Sequence, residues 1–246
     1  PLVAAPEDDE WAAGPEVTAA LPRGAQWAQR FRWGPHTMLV HAVAGERIRI
    51  WSSGSVNSFE LQDPMHLVVA SGVGVEDRVG EDRPLVDLPA PASGIYAFTF
   101  ASGVARIQVS NRAAVIKASS AAQDVHVHHW STHYFYVPPD TSEFAFFLRP
   151  YGTGTIEVWM ADEGPAFPVH HRRAIDNAVY RAEQQTPVFE EHRIRVPEGG
   201  DGRVWAVRFG NRGDGKKQVY LAGIPPFLAE HPDRLLKLPA DERQAP

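Results

Sequence analysis

The segment Asp124-Val125-His126-Val127-His128-His129-Trp130 concentrates more chemistry than any other in the chain. On an extended strand, positions two apart share a face. His126 and His128 would then point together, with Trp130 next along. Two imidazoles so placed can bind one metal ion, zinc or copper, once a neighbouring strand adds a third ligand. His133, His170, His171 and His192 are candidates for that third position. The competing reading makes these histidines polar residues on a solvated or interdomain face.

The seven tryptophans offer a different chemistry. An indole face stacks on the apolar face of a sugar ring, and its N–H donates a hydrogen bond. Trp205 alternates in phase with Val207 and Phe209 and is expected in a core. Trp159 lies out of phase with Ile156, Val158 and Met160, beside Glu157, and is expected on an exposed face. Trp51 follows Arg47 and Arg49, and Trp130 follows His126 and His128, on the polar sides of their strands. Trp130, Trp159 and Trp51 are the candidate sugar platforms, with Glu157, Arg173 and Asn177 to bond hydroxyls. Burial between two packed sandwiches is an equally good reading for each tryptophan.

The run His170-His171-Arg172-Arg173, followed by Asp176 and Asn177, opens the one segment with helical spacing, residues 172–184. Two cations at a helix start oppose its dipole unless something anionic is close, such as an acidic sugar or a partner's carboxylate. A solvated loop with ordinary surface ion pairs is the favoured reading of these residues. Asp201 and Asp214 sit in glycine-rich turns that could hold calcium, although such residues are commonly plain turn formers. There is no Gly-x-Ser-x-Gly elbow, Walker loop or Rossmann glycine pattern. The paired carboxylates are adjacent in sequence, so on a strand they point apart. No acid/base pair results.

The elements that must position these residues are nearly all strands. From Trp27 to Leu221 a period of two recurs between Gly-, Pro- and Asp-rich turns, which reads as half-buried strands. Residues 72–84 are polar and glycine-rich and read as a loop. The fold class is all-β, as two tandem antiparallel β-sandwiches of jelly-roll type with one short helical insertion. The boundaries are a linker or arm over 1–24, a first sandwich over 25–118 and a second over 123–246. The second contains the insertion 164–187 and ends in a surface tail.

Composition narrows the function classes. Against 24 Lys and Arg stand 30 Asp and Glu, a net charge of −6, which argues against nucleic-acid binding. With no cysteine, disulfide frameworks and thiolate chemistry are excluded. No apolar run approaches the roughly 18 residues of a membrane helix. The chain begins at Pro1 with no charged-then-apolar leader. It is expected to be a processed form or a fragment of a larger protein.

The order Gly45-Glu46-Arg47-Ile48-Arg49-Ile50, Phe59-Glu60-Leu61-Gln62-Asp63-Pro64, then Ser93-Gly94-Ile95-Tyr96 resembles bacterial pre-peptidase C-terminal domains over residues 25–118. In the second half the order is Tyr134-Phe135-Tyr136-Val137-Pro138, Ile156-Glu157-Val158-Trp159, Arg193-Ile194-Arg195-Val196-Pro197, Gly202-Arg203-Val204-Trp205 and Ile224-Pro225-Pro226-Phe227-Leu228. It resembles accessory β-sandwiches of secreted bacterial polysaccharide-degrading enzymes, and departs from them between Gly164 and Pro187. The resemblance implies an extracytoplasmic, non-catalytic module that binds a polysaccharide or oligosaccharide, or packs on a fused or neighbouring catalytic domain, and needs no cofactor. Two alternatives stand beside it. One is a small metalloenzyme on His126 and His128 acting on a polysaccharide. The other is a structural spacer or assembly domain.

Overall fold

The computed structural model describes residues 30–32, 35–75, 84–111, 114–121, 125–127, 132–150, 154–174, 189–211 and 217–236. These residues form antiparallel sheets. Among them the only helical element is a single 3-10 turn, Pro232–Arg234. The chain divides into two units, Pro1–Lys117 with Asp233–Lys237, and Ala118–Pro232 with Leu238–Pro246. The division falls just before the small-residue stretch 119–122. The return of Asp233–Lys237 to the first unit departs from the sequence reading, which assigned the whole tail to the second sandwich. Arg234, Leu235 and Leu236 are buried, so this part is not a surface tail.

The first unit contains β1 (Arg30–Arg32), β2 (Pro35–Ala42), β3 (Arg47–Gln62), β4 (Val68–Val75), β5 (Val86–Pro89), β6 (Gly94–Val109) and β7 (Ala114–Lys117). The strands run β7-β2-β6-β3-β4, with β1 also on β6 and β5 also on β3. β3 and β6 have 16 residues each and pair along most of their length, with register shifts between Ser55 and Ser58. In each, a join rich in serine and glycine separates two alternating runs that would read as separate strands. A bulge bends a strand without ending it, so one strand can serve two neighbours on one side. β3 takes β5 at its start and β4 at its end. Alternating Tyr96, Phe98 and Phe100 point into the core, where Phe100 meets Phe31 edge-on at 4.9 Å.

Two side-chain devices hold the connections. Asp63 Oδ1 accepts the N–H groups of Met65 and Leu67, each at 2.9 Å, which fixes the β3–β4 turn as an Asx turn. The Tyr96 hydroxyl donates to Ala92 O at 2.7 Å, a tyrosine-corner contact. β4 continues to Val75, so Gly72 to Val75 belong to a strand rather than to the expected loop. Glycine at 72 has a steric reason, because an added Cβ would lie 2.5 Å from the Phe59 ring.

The second unit contains β8 (Val125–Val127), β9 (Thr132–Val137), β10 (Glu143–Pro150), β11 (Gly154–Met160), β12 (His170–Ala174), β13 (Glu190–Arg195), β14 (Arg203–Asn211), β15 (Lys217–Ala222) and β16 (Phe227–Leu228). One sheet runs β13-β10-β15-β8 and the other β12-β11-β14-β9. Counting β8 to β15 as one to eight, the orders are 6-3-8-1 and 5-4-7-2, the two interleaved Greek keys of a jelly roll. The inward residues form an aromatic core. Phe135 meets Phe146 at 5.2 Å and Phe144 meets Trp205 at 5.4 Å, both edge-on. Trp205 is fully buried and donates Nε1–H to Gly200 O at 2.7 Å, so its one polar atom is satisfied.

The start of the expected helix is corrected. Arg172, Arg173 and Ala174 continue β12 and pair with Ile156, Thr155 and Gly154 of β11. Pairing with a neighbouring strand supplies the hydrogen bonds that a helix would have made internally. Residues 175–188, with the apolar stripe of that helix, lie outside the described residues.

Candidate functional site

Two outward faces of the second unit carry its exposed chemistry. On the β12-β11-β14-β9 sheet, the register aligns His171, Glu157, Arg208 and Thr132 in one row, and Trp159, Ala206 and Tyr134 in the next. Arg208 donates Nε–H and Nη2–H to Glu157 Oε2 at 2.8 and 2.5 Å. Its guanidinium lies 5.5 Å from the centre of the Trp159 ring, a cation–π contact. His171 Nε2 stands 3.9 Å from Glu157 Oε1 and is exposed.

This arrangement overturns the exposure expected for two tryptophans. Trp159 is only 4% exposed. It does face outward, but Val158, Trp159 and Met160 are buried in succession, so both faces of β11 are covered there. Arg208 also occupies the space over the indole that a sugar would need. Trp51 is 3% exposed, within a run from Ile50 to Ser52 that is buried on both faces of β3. Alternation identifies the face a residue takes, whereas what covers that face is settled by distant chain. Trp130, His128 and Asn177 lie outside the described residues. His126 is placed only by its backbone, opposite Gln218, and Arg173 only by its position opposite Thr155.

The histidines weighed as third metal ligands are dispersed. His133 points inward, and burial alone pushes its pKa down to about 4. His170 and His192 meet across the sandwich edge, Nε2 to Nδ1 at 3.4 Å, and His192 Nε2 lies 3.5 Å from Glu190 Oε1. His171 faces the other way, toward Glu157. Among the described residues no three His, Asp or Glu side chains converge as a metal site. Asp201 Oδ2 accepts the Asp140 N–H at 2.8 Å, which ties two turns together. Asp214 lies outside the described residues.

Sequence reasoning missed the other outward face, on β13-β10-β15-β8. Phe147 and Tyr220 are cross-strand partners. Their rings stack in parallel, 4.6 Å apart at 2°. Phe189 meets Tyr220 edge-on at 5.0 Å. All three are half-buried. Arg149 Nη1 donates to Gln218 Oε1 at 3.2 Å in the neighbouring row. On the other side Arg193 joins Glu191 at 2.8 Å and Glu143 at 3.3 Å. Burial, with Glu191 adding to it, raises the Tyr220 pKa. The signal was present in the sequence. Phe147 interrupts the phase of Phe144, Phe146 and Leu148, and Tyr220 interrupts that of Val219 and Leu221.

No protein-family model matches this chain, and no curated protein matches it.

Proposed function

We propose that the second unit is a non-catalytic carbohydrate-binding module, and that the outward face of β13-β10-β15-β8 is where it binds. The observation that carries this reading is the half-buried aromatic cluster Phe147, Tyr220 and Phe189 on a solvent-facing sheet. Aromatic carbon there would cover the C–H face of a pyranose. The Tyr220 hydroxyl, Gln218 and Arg149 would bond its hydroxyls. A cluster serving sheet stability alone also gains from cross-strand aromatic packing, so the test must separate binding from folding. The polysaccharide ligand, the extracytoplasmic setting and a neighbouring catalytic domain are parts of the same proposal.

A glycan array followed by titration calorimetry tests it. Tyr220→Ala is expected to weaken the best oligosaccharide by about 1–3 kcal/mol, the range known for base–aromatic stacking, with the chain still folded. Trp159→Ala is expected to cost about 3–5 kcal/mol of stability, because the side chain is buried although it faces outward. Unchanged affinity in folded Tyr220→Ala, or no glycan bound by the wild type, rejects the reading.

A further inference from the structure

We propose that His170 and His192 form a proton-sensitive clasp across one edge of the second unit, closed while the pair carries at most one extra proton and opened by a second. β12 ends one sheet of the sandwich and β13 ends the other, so a bond between their side chains joins the two sheets at that edge. Alternation aims both histidines there. His171 faces out toward Glu157, which turns His170 inward. His192 lies between exposed Glu191 and Arg193, in phase with buried Ile194.

The geometry of the pair identifies what holds it. His170 Nε2 and His192 Nδ1 are 3.4 Å apart, and the ring centres 5.6 Å. The difference is about the sum of two ring radii, so the nitrogens face each other nearly head on. A metal ion midway would stand about 1.7 Å from each, inside the roughly 2.0–2.1 Å of a zinc–nitrogen bond. One proton fits there instead, donated by one imidazole and accepted by the other. Two do not, because both nitrogens would then be donors and two cations would face each other.

The surroundings cannot absorb a second charge. Glu190 Oε1 stands 3.5 Å from His192 Nε2 and offsets one positive charge. On one sheet the row runs from His170 through Val158 and Val207 to His133. On the other it runs from His192 through Phe146 to Leu221. All of these but His170 are buried, and burial also holds His133 neutral. Arg172, the next inward position of β12, has its side chain outside the described residues. His192 is fully buried and His170 half-buried, so His170 is the ring that turns out to water. β12 is then held by β11 alone and frays. In the open edge each histidine titrates near about 6.5. The closed pair binds its second proton less readily. Closure is therefore intact above that value and weakens as pH falls, the opening constant rising by up to about tenfold per pH unit.

Amide exchange and imidazole-nitrogen NMR on the full chain test this. Between about pH 7.5 and about pH 5, spanning the histidine range, protection of the β12 and β13 amides is expected to fall about tenfold or more relative to β14. Over the same range the two rings are expected to pass from one donor and one acceptor to two fully protonated imidazoles. In His170→Gln the amide N–H still donates to His192 Nδ1 and takes up no proton, so protection is expected to persist at the lower pH. Glu190→Gln removes the offsetting charge and is expected to open the edge at higher pH. His133→Phe is expected to leave the loss in β12 and β13 unchanged. Constant protection in the wild type, an equal acid loss in His170→Gln, or a loss that disappears in His133→Phe overturns the proposal. So does a stoichiometric zinc ion bound between the two rings.

Discussion

His133 shows how burial turns one side chain into a stability term. Burial holds it neutral in the folded chain, with its pKa pushed down to about 4, while an unfolded histidine titrates near the ordinary 6.5. Between those values the unfolded state binds a proton that the folded state refuses. Stability is then complete above pH 6.5 and falls as pH drops toward 4, by about 1.4 kcal/mol per pH unit inside the window. Urea unfolding at pH 7 and pH 5 is expected to show this loss in the wild type and a shallower one in His133→Phe. Equal slopes would mean that His133 is not the titrating group. Its partner in space, Phe209 at 6.2 Å between ring centres, explains why a phenyl ring suits the site. In the sequence His133 reads as a polar member of a histidine-rich stretch. Its in-phase neighbours Phe135 and Val137 were the only sign of an inward direction.

At the level of elements, hydrogen bonding outside the strands decides where each strand stops. The β3–β4 turn depends on Asp63, which is buried and accepts two backbone N–H groups. Asp63→Ala leaves both donors without that acceptor and is expected to cost about 1–3 kcal/mol, read as a lower urea midpoint. Asp63→Asn keeps an oxygen in place and is expected to recover most of the loss, and a silent Asp63→Ala would refute this account of the turn. The strands themselves were legible because their faces differ in polarity. Continuity was not: the joins inside β3 and β6 contain glycine and serine, which locally resemble turns. β12 was misread for a related reason. His170 to Ala174 contain no apolar alternation, so only pairing with β11 reveals a strand.

Taken whole, the molecule holds two apolar cores, one led by Tyr96, Phe98 and Phe100 and the other by Trp205, Phe135 and Phe146. Cooperative opening follows such clusters. Trp205→Ala is therefore expected to lower amide protection in β9, β11 and β14, while β2, β3 and β6 keep theirs, as hydrogen exchange can read. Uniform loss over both sets would show that the two cores open as one. No helix among the described residues is long and apolar enough to cross a membrane.

The sequence by itself determined the all-β class, most strand positions and the inward direction of residues such as Trp205, Phe144 and Phe146. Each follows from alternation, a property of neighbouring residues. The tertiary structure alone decided the jelly-roll order, since pairing joins strands far apart in the chain, such as β9 with β14. It decided that Trp51 and Trp159 are covered. It also decided that Phe147 and Tyr220 stack across two strands, because a face is exposed or buried only by what the rest of the chain lays over it.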